Sequence, residues 1–216
     1  YLNKYNEEFM NIFSTMFNVG KDDMEGMTLN EIIEIYGEEW QLNAIENVSQ
    51  DSYGKIIKMT DDDVNYNNFL KKCNEIASDH TIDLVFCLHA DTNYIDFGPD
   101  RVYIKKFTND LKKNSINIRA LYQTCCYSKE HHKAWMNYGI KAVNGATGYN
   151  ILTMFSPHFF IEEWISGKTF HESVYEAKDR EIDTLLSYKD TFPEIEDFYN
   201  EMFLSGSRQE VAGKDK

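Results

Sequence analysis

No stretch of this sequence is long and apolar enough to cross a membrane, and no signal-peptide pattern opens it. The first residue is Tyr1 and not Met, as expected of a trimmed or processed product, a secreted bacterial protein among them. Positive charge is scarce: 22 Lys and Arg stand against 36 Asp and Glu, for a formal net charge of -14. Phosphate contacts need a basic face, and none is evident, so no nucleic-acid partner is expected. An anionic membrane surface is disfavoured for the same reason. The imbalance fits a basic peptide partner, or simple solubility. No glycine-rich phosphate loop follows a strand, which sets aside a nucleotide-binding module. Cysteine is limited to Cys73, Cys87, Cys125 and Cys126. They make no disulfide framework in a chain this long, and Cys73 and Cys87 fall on faces expected to be buried. There is no internal repeat and no low-complexity tract.

What the chain does have is a strand–helix–strand stretch over residues 82–126. Residues 82–88 form a short, mostly apolar run, the pattern of a strand buried on both faces. His89-Ala90-Asp91 follows at once. Tyr103, Ile104, Phe107 and Leu111 recur at helical spacing. A second strand over 116–124 runs into Cys125-Cys126. Two strands joined by a helix lie parallel, with a right-handed crossover. If neighbours, they bring His89 and Cys126 together at the carboxyl edge of the sheet, where open α/β folds bind ligands.

Around this stretch, residues 1–47 read as an N-terminal helical cap. It comprises an apolar stripe over 2–18, a capping box at Thr28-Leu29-Asn30-Glu31 and a stop at Gly37. Residues 48–204 read as an α/β domain. Lys55–Met59 is expected as a strand, and Thr60-Asp61-Asp62-Asp63 as the acidic start of a helix, a better fit than a calcium loop. Ser128 is expected to cap a short helix ending at Gly139. A strand over 140–145 follows, with Gly145, Gly148 and Asn150 in an irregular loop at its carboxyl end. Ser156-Pro157 starts a helix, Thr169-Phe170-His171-Glu172 is a second capping box, and Pro193 starts a last helix through Phe203. Residues 205–216 read as a disordered polar tail. The alternation of strand and helix predicts a mostly parallel, three-layer α/β/α sheet.

A thiol and an imidazole at one edge are the minimum parts of a cysteine nucleophile. Cys126 precedes a helix whose dipole favours a thiolate. His89 is the matching base or proton donor, and the backbone N–H groups near Ala90 and Cys126 face a developing oxyanion. Adjacent strand residues face opposite ways, so one of Cys125 and Cys126 points inward and the other to the cleft. A vicinal disulfide and a zinc site with His131 and His132 are the competing readings. The zinc reading lacks CxxC spacing, and adjacent helical histidines cannot share one site.

The ordered pair resembles the caspase-hemoglobinase fold, which includes caspases, legumain, gingipains, clostripain and the CHAT-domain peptidases. Tyr122-Gln123-Thr124-Cys125-Cys126-Tyr127-Ser128 resembles the family strand that ends in a small residue, a cysteine and a short turn. The segment from Gly139 to Ala146 resembles the glycine and strand that help build the substrate pocket. Over about residues 55–180, the resemblance implies a cysteine peptidase with His89 and Cys126 as the dyad. It also implies an oxyanion hole at Ala90 and Cys126, and peptide contacts from Asn144, Gly145 and Asp91. Ala90 stands where the family usually has glycine. Such a dyad calls for no cofactor and no metal, and its partner is a peptide or protein substrate. The acidic balance suggests a basic residue before the scissile bond. A catalytically inactive binding module on the same fold is the alternative.

Overall fold

The computed structural model of the protein describes residues 10, 11, 13–15, 19–27, 29–150, 153, 155–190 and 208–214. A four-stranded sheet runs in the order β1 (Ile82–Phe86), β5 (Ile118–Gln123), β6 (Ala142–Ala146) and β7 (Gln209–Gly213). The first three strands are parallel, and β7 joins antiparallel to β6. Between β1 and β5 lies a three-stranded antiparallel meander: β2 (Ala90–Asp91), β3 (Tyr94–Phe97) and β4 (Asp100–Tyr103). The described residues include the helices α1 (Leu29–Ile32), α2 (Glu39–Ser49), α3 (Tyr66–Ile76), α4 (Ile104–Lys113), α5 (His132–Tyr138), α6 (Ser156–Ile165) and α7 (Phe170–Ser187).

Strand alternation sorts the core into two clusters. Leu121, Cys125 and Val143 face Phe69 and Cys73 of α3, Phe107 and Leu111 of α4, and Trp135 of α5. Ala120, Tyr122 and Ala142 face Phe160 and Ile161 of α6 and Phe170, Val174 and Ala177 of α7. Successive strand residues point to opposite faces, so helices cover both sides of the sheet. The first cluster also anchors the meander. Phe97 lies 5.2–5.8 Å, centroid to centroid, from the rings of Tyr66, Phe69, Phe86 and Phe107. Each such pair adds about 0.5–1.5 kcal/mol beyond its burial. The meander turns on Gly98, whose φ is +56° and whose Cα lies so close to the Val64 carbonyl that a Cβ would stand 2.4 Å from it. Only glycine meets both demands.

Several expectations need correction. Lys55–Met59 forms no strand, so the sheet begins at Ile82. Asp61–Asp63 is an isolated 3-10 turn, and α3 starts at Tyr66, where the Asn65 side chain accepts from the Asn68 N–H at 2.9 Å. Gly37 is no stop. It lies buried in a π-helical turn, Ile33–Glu38, that carries α1 into α2. Cys87 is exposed, one residue past the end of β1. The polar tail contains β7, whose pairing with β6 extends from Ala146↔Gln209 to Ala142↔Gly213. The Ser156-Pro157 start and the Thr169–Glu172 capping box are both present. The readings of Thr28 and of residues 193–203, and most of the 2–18 stripe, lie outside the described residues.

Phe155 and Ser156 at the start of α6 donate their N–H groups to Oε1 of Glu181, both at 3.2 Å. Burial raises the pKa of this fully enclosed carboxyl. The carboxyl answers the orphan donors that every helix start leaves.

A paired β7 predicts slow amide exchange at Glu210 and Ala212, whose N–H groups face β6. Exchange at these two amides as fast as in an unstructured peptide would contradict the fourth strand.

Candidate functional site

The carboxyl edge of the sheet is set by the β1–β5 register. Phe86 pairs with Gln123, and the Thr124 N–H donates to the Phe86 carbonyl at 2.9 Å. His89 and Cys126 each lie three residues beyond this pair, just past the carboxyl ends of β1 and β5. The His89 side enters the meander. Asp96 N–H donates to the His89 carbonyl at 2.9 Å, spanning the Ala90↔Ile95 pair. A bond in that position marks a non-hydrogen-bonded pair, so the Ala90 N–H points away from β3. His89 itself is exposed, and its ring makes no hydrogen bond among the described residues.

Of the adjacent cysteines, Cys125 is fully buried in the core, and burial pushes its pKa up. Cys126 is half-buried at the edge. Neither is in a disulfide. Strand alternation, carried past Gln123, thus separates an inert thiol from an accessible one. The loop after β6 folds back over Cys126. Tyr127 N–H donates to the Gly148 carbonyl at 2.8 Å, and the Asn150 side-chain amide donates to the Thr124 carbonyl at 2.9 Å. The Asn150 backbone N–H points at Cys126 Sγ from 3.4 Å. Asn150 is therefore the protein group that addresses the sulfur. In the sequence it stood out only as a loop marker.

The turn after Cys126 is tight. Tyr127 has φ +52°, a left-handed conformation that costs a tyrosine of order 1–3 kcal/mol. Ser128 does not cap a helix. Its hydroxyl donates to the Cys125 carbonyl at 2.6 Å and accepts from Ala146 N–H at 3.0 Å, tying the turn to β6. Gly145 lets the turn come this close, because a Cβ there would stand 2.4 Å from the Lys129 nitrogen.

Fully buried His131 connects the two halves of the edge. Its Nε2 lies 2.7 Å from the Asp91 carbonyl. A carbonyl only accepts, so Nε2 carries the proton. Nδ1 is buried without a partner, and burial lowers the pKa of the ring. The His132 Nε2 is likewise buried without a partner, and burial lowers the pKa of that ring too. Among the described residues no group of three or more His, Cys, Asp or Glu is arranged to hold a metal. The Asp91 carboxylate accepts from the Thr92 N–H at 2.7 Å.

Asn144 is fully buried. Its Oδ1 accepts from Gln123 N–H at 2.7 Å, and its Nδ2 donates to the Gln123 carbonyl at 2.9 Å and to Gln209 Oε1 at 2.8 Å. Gln123 Nε2 returns a bond to the Asn144 carbonyl at 2.7 Å. The side chain thus holds β5, β6 and β7 together and presents no polar atom to the cleft. Gly145 acts through its lack of a side chain.

Two predictions follow from this geometry. Asn144→Leu leaves the Gln123 N–H and C=O buried without partners and removes the bond that Gln209 Oε1 accepts. At about 1–3 kcal/mol per group, the loss should exceed about 3 kcal/mol, a fall in Tm of roughly 6–12 °C. A calorimetric Tm within about 2 °C of the parent would overturn the network's structural role. For His131 the folded pKa lies below the unfolded value of about 6.5. The unfolded chain then takes up the proton first, so the stability this neutral ring supplies is full above about pH 6.5 and declines as pH falls below it. His131→Gln keeps an N–H for the Asp91 carbonyl and should flatten that part of the Tm-versus-pH curve. An unchanged curve would mean the acid sensitivity lies elsewhere.

No protein-family model matches this sequence, and neither does any curated protein, so the functional reading rests on the residues of the edge itself.

Proposed function

We propose that this chain is a cysteine peptidase of caspase-like type, with a three-layer α/β/α domain, an N-terminal helical cap and a His89/Cys126 dyad. The observation that carries the reading is the parallel pairing of β1 and β5, followed three residues past the last pair by an imidazole on one side and an accessible thiol on the other. In the reaction, the Cys126 thiolate adds to the peptide carbonyl carbon. The oxyanion so formed takes the N–H groups of Ala90 and Cys126. His89, protonated by the thiol, gives its proton to the leaving amine, and a thioester remains. Water, deprotonated by His89, then attacks the thioester, releasing the acid and restoring the thiol. Asp91 and the Gly145 strand flank the peptide, while Asn144 contributes by fixing the ends of β5 and β6. The charge of -14 favours a basic residue before the scissile bond.

A second reading is a catalytically inactive binding module on the same fold. It is favoured by the absence of any hydrogen bond orienting the His89 ring among the described residues, and by Ala90 where the family has glycine.

Peptidyl acyloxymethyl ketones with Arg, Lys, Asn or Asp in the anchoring position decide between the two. Mass spectrometry should find one adduct, on Cys126, strongest with Arg or Lys. It should be lost in Cys126→Ala and slowed at least about 100-fold in His89→Ala. Iodoacetamide is the control, since it also reaches exposed Cys87. No peptidyl adduct on the folded protein, or an adduct on Cys87 alone, would leave the binding module as the better reading.

A further inference from the structure

The opposite end of the same sheet carries a second site. Among the described residues β1 pairs on one side only. Leu84 and Phe86 direct their backbone groups to β5, so the N–H and C=O of Asp83 and Val85 point outward. No described strand pairs with that side. A cavity of about 710 Å³ runs along it. It reaches from Phe69, Lys72 and Ile76 of α3, past Ile82–Leu84, to Trp164 and Ile165 of α6. Helices on both faces of the sheet contribute walls, so the cavity wraps the edge of β1. Its outer wall is Ser52–Met59, with Lys55, Ile57 and Met59 lining it at every second residue. This segment has the alternation of a strand but makes no ladder with β1.

The charge of the lining is opposite to that of the chain. Lys55, Lys72, Arg119, Lys168 and His80 line the cavity against one acid, Asp83. That carboxylate is already taken by Tyr53 at 2.8 Å, by Trp164 Nε1 at 3.3 Å and by the Arg119 guanidinium. Lys168 is held by Glu163 and Glu176. Lys55 and Lys72 are in no ion pair among the described residues. A protein with 36 acids and 22 bases therefore presents two unpaired lysines beside an apolar trough and a row of outward backbone donors and acceptors.

We propose that this cavity binds an extended acidic segment of a partner polypeptide, added to β1 as a further parallel or antiparallel strand. The outward groups of Asp83 and Val85 supply the backbone bonds of such an addition. Successive side chains of the added strand alternate between the faces. Acidic ones meet Lys72 on the α3 side and Lys55 on the outer wall, and apolar ones meet Trp164 and Ile165 on the α6 side. The site lies at the amino-terminal end of β1, remote from His89 and Cys126, and does not depend on the peptidase reading.

A hexapeptide of alternating glutamate and valine, with blocked ends, is the probe. Trp164 half-lines the cavity, so binding should shift its emission to the blue, and Trp164→Phe should remove the shift. A lysine–valine hexapeptide should bind at least about tenfold more weakly, and Lys55→Glu with Lys72→Glu should weaken the glutamate peptide by at least about the same factor. Both lysine changes are at the surface and should leave the far-ultraviolet circular dichroism unchanged. Methylating every second amide nitrogen, in either phase, should abolish binding in one phase and spare it in the other. No saturable binding to the folded protein would overturn the proposal. Equal affinity in both methylated phases would also overturn it, because the cavity would then be taking isolated anionic or apolar groups and not a strand.

Discussion

The Asn144 side chain is the interaction on which the carboxyl end of the sheet depends. The ladder between β5 and β6 stops at Leu121↔Val143. From there the backbone of Gln123 bonds to the Asn144 amide instead of to a strand. A side chain interposed between two strands holds them farther apart than a ladder would. The sheet therefore splays where Cys126 emerges, without leaving either strand's polar groups unanswered. Gln209 completes the arrangement from β7. Buried amide networks of this kind fix one geometry when satisfied and are costly when broken. Gln123 Oε1 is a buried atom of this network that has no partner among the described residues.

Much of this was legible in the sequence, and the failures have physical causes. β1, β5 and β6 are apolar on both faces because helices cover both, and continuous apolar runs are easy to see. β7 pairs on one side only and reads as polar, so Gln209–Gly213 resembled a tail. Ile56 and Ile57 gave 55–59 the look of a strand, but a strand needs a partner, and the described residues supply none. The meander was announced by Thr92-Asn93 and Gly98-Pro99 between alternating residues, a turn signal overshadowed by the helix that follows.

Near the carboxyl edge, the places of His89 and Cys126 just past the ends of β1 and β5 were legible because position at a strand end is a local property. The roles of Asn150, Ser128 and His131 are not local. Asn150 reaches a sulfur 24 residues back, Ser128 an amide 18 residues on and His131 a carbonyl 40 residues back. No spacing rule connects such partners. Asn144 looked like a cleft residue for the converse reason: its place in the chain was right, but its side chain is turned into the sheet.

The joining of β7 to β6 also orders events in time. Ala146 meets Gln209 across a long stretch of intervening chain, whereas β1, β5 and β6 follow one another closely. Closing a long loop is entropically dearer, and pairings of high sequence separation form late. Until they do, Asn144 lacks its Gln209 partner and Thr147 N–H lacks the Arg208 carbonyl that it finds at 2.9 Å. The apolar core can therefore assemble first on local contacts, and the polar rim around Cys126 becomes rigid afterwards. The contacts that β7 brings to Asn144 and Asn150 belong to that later stage.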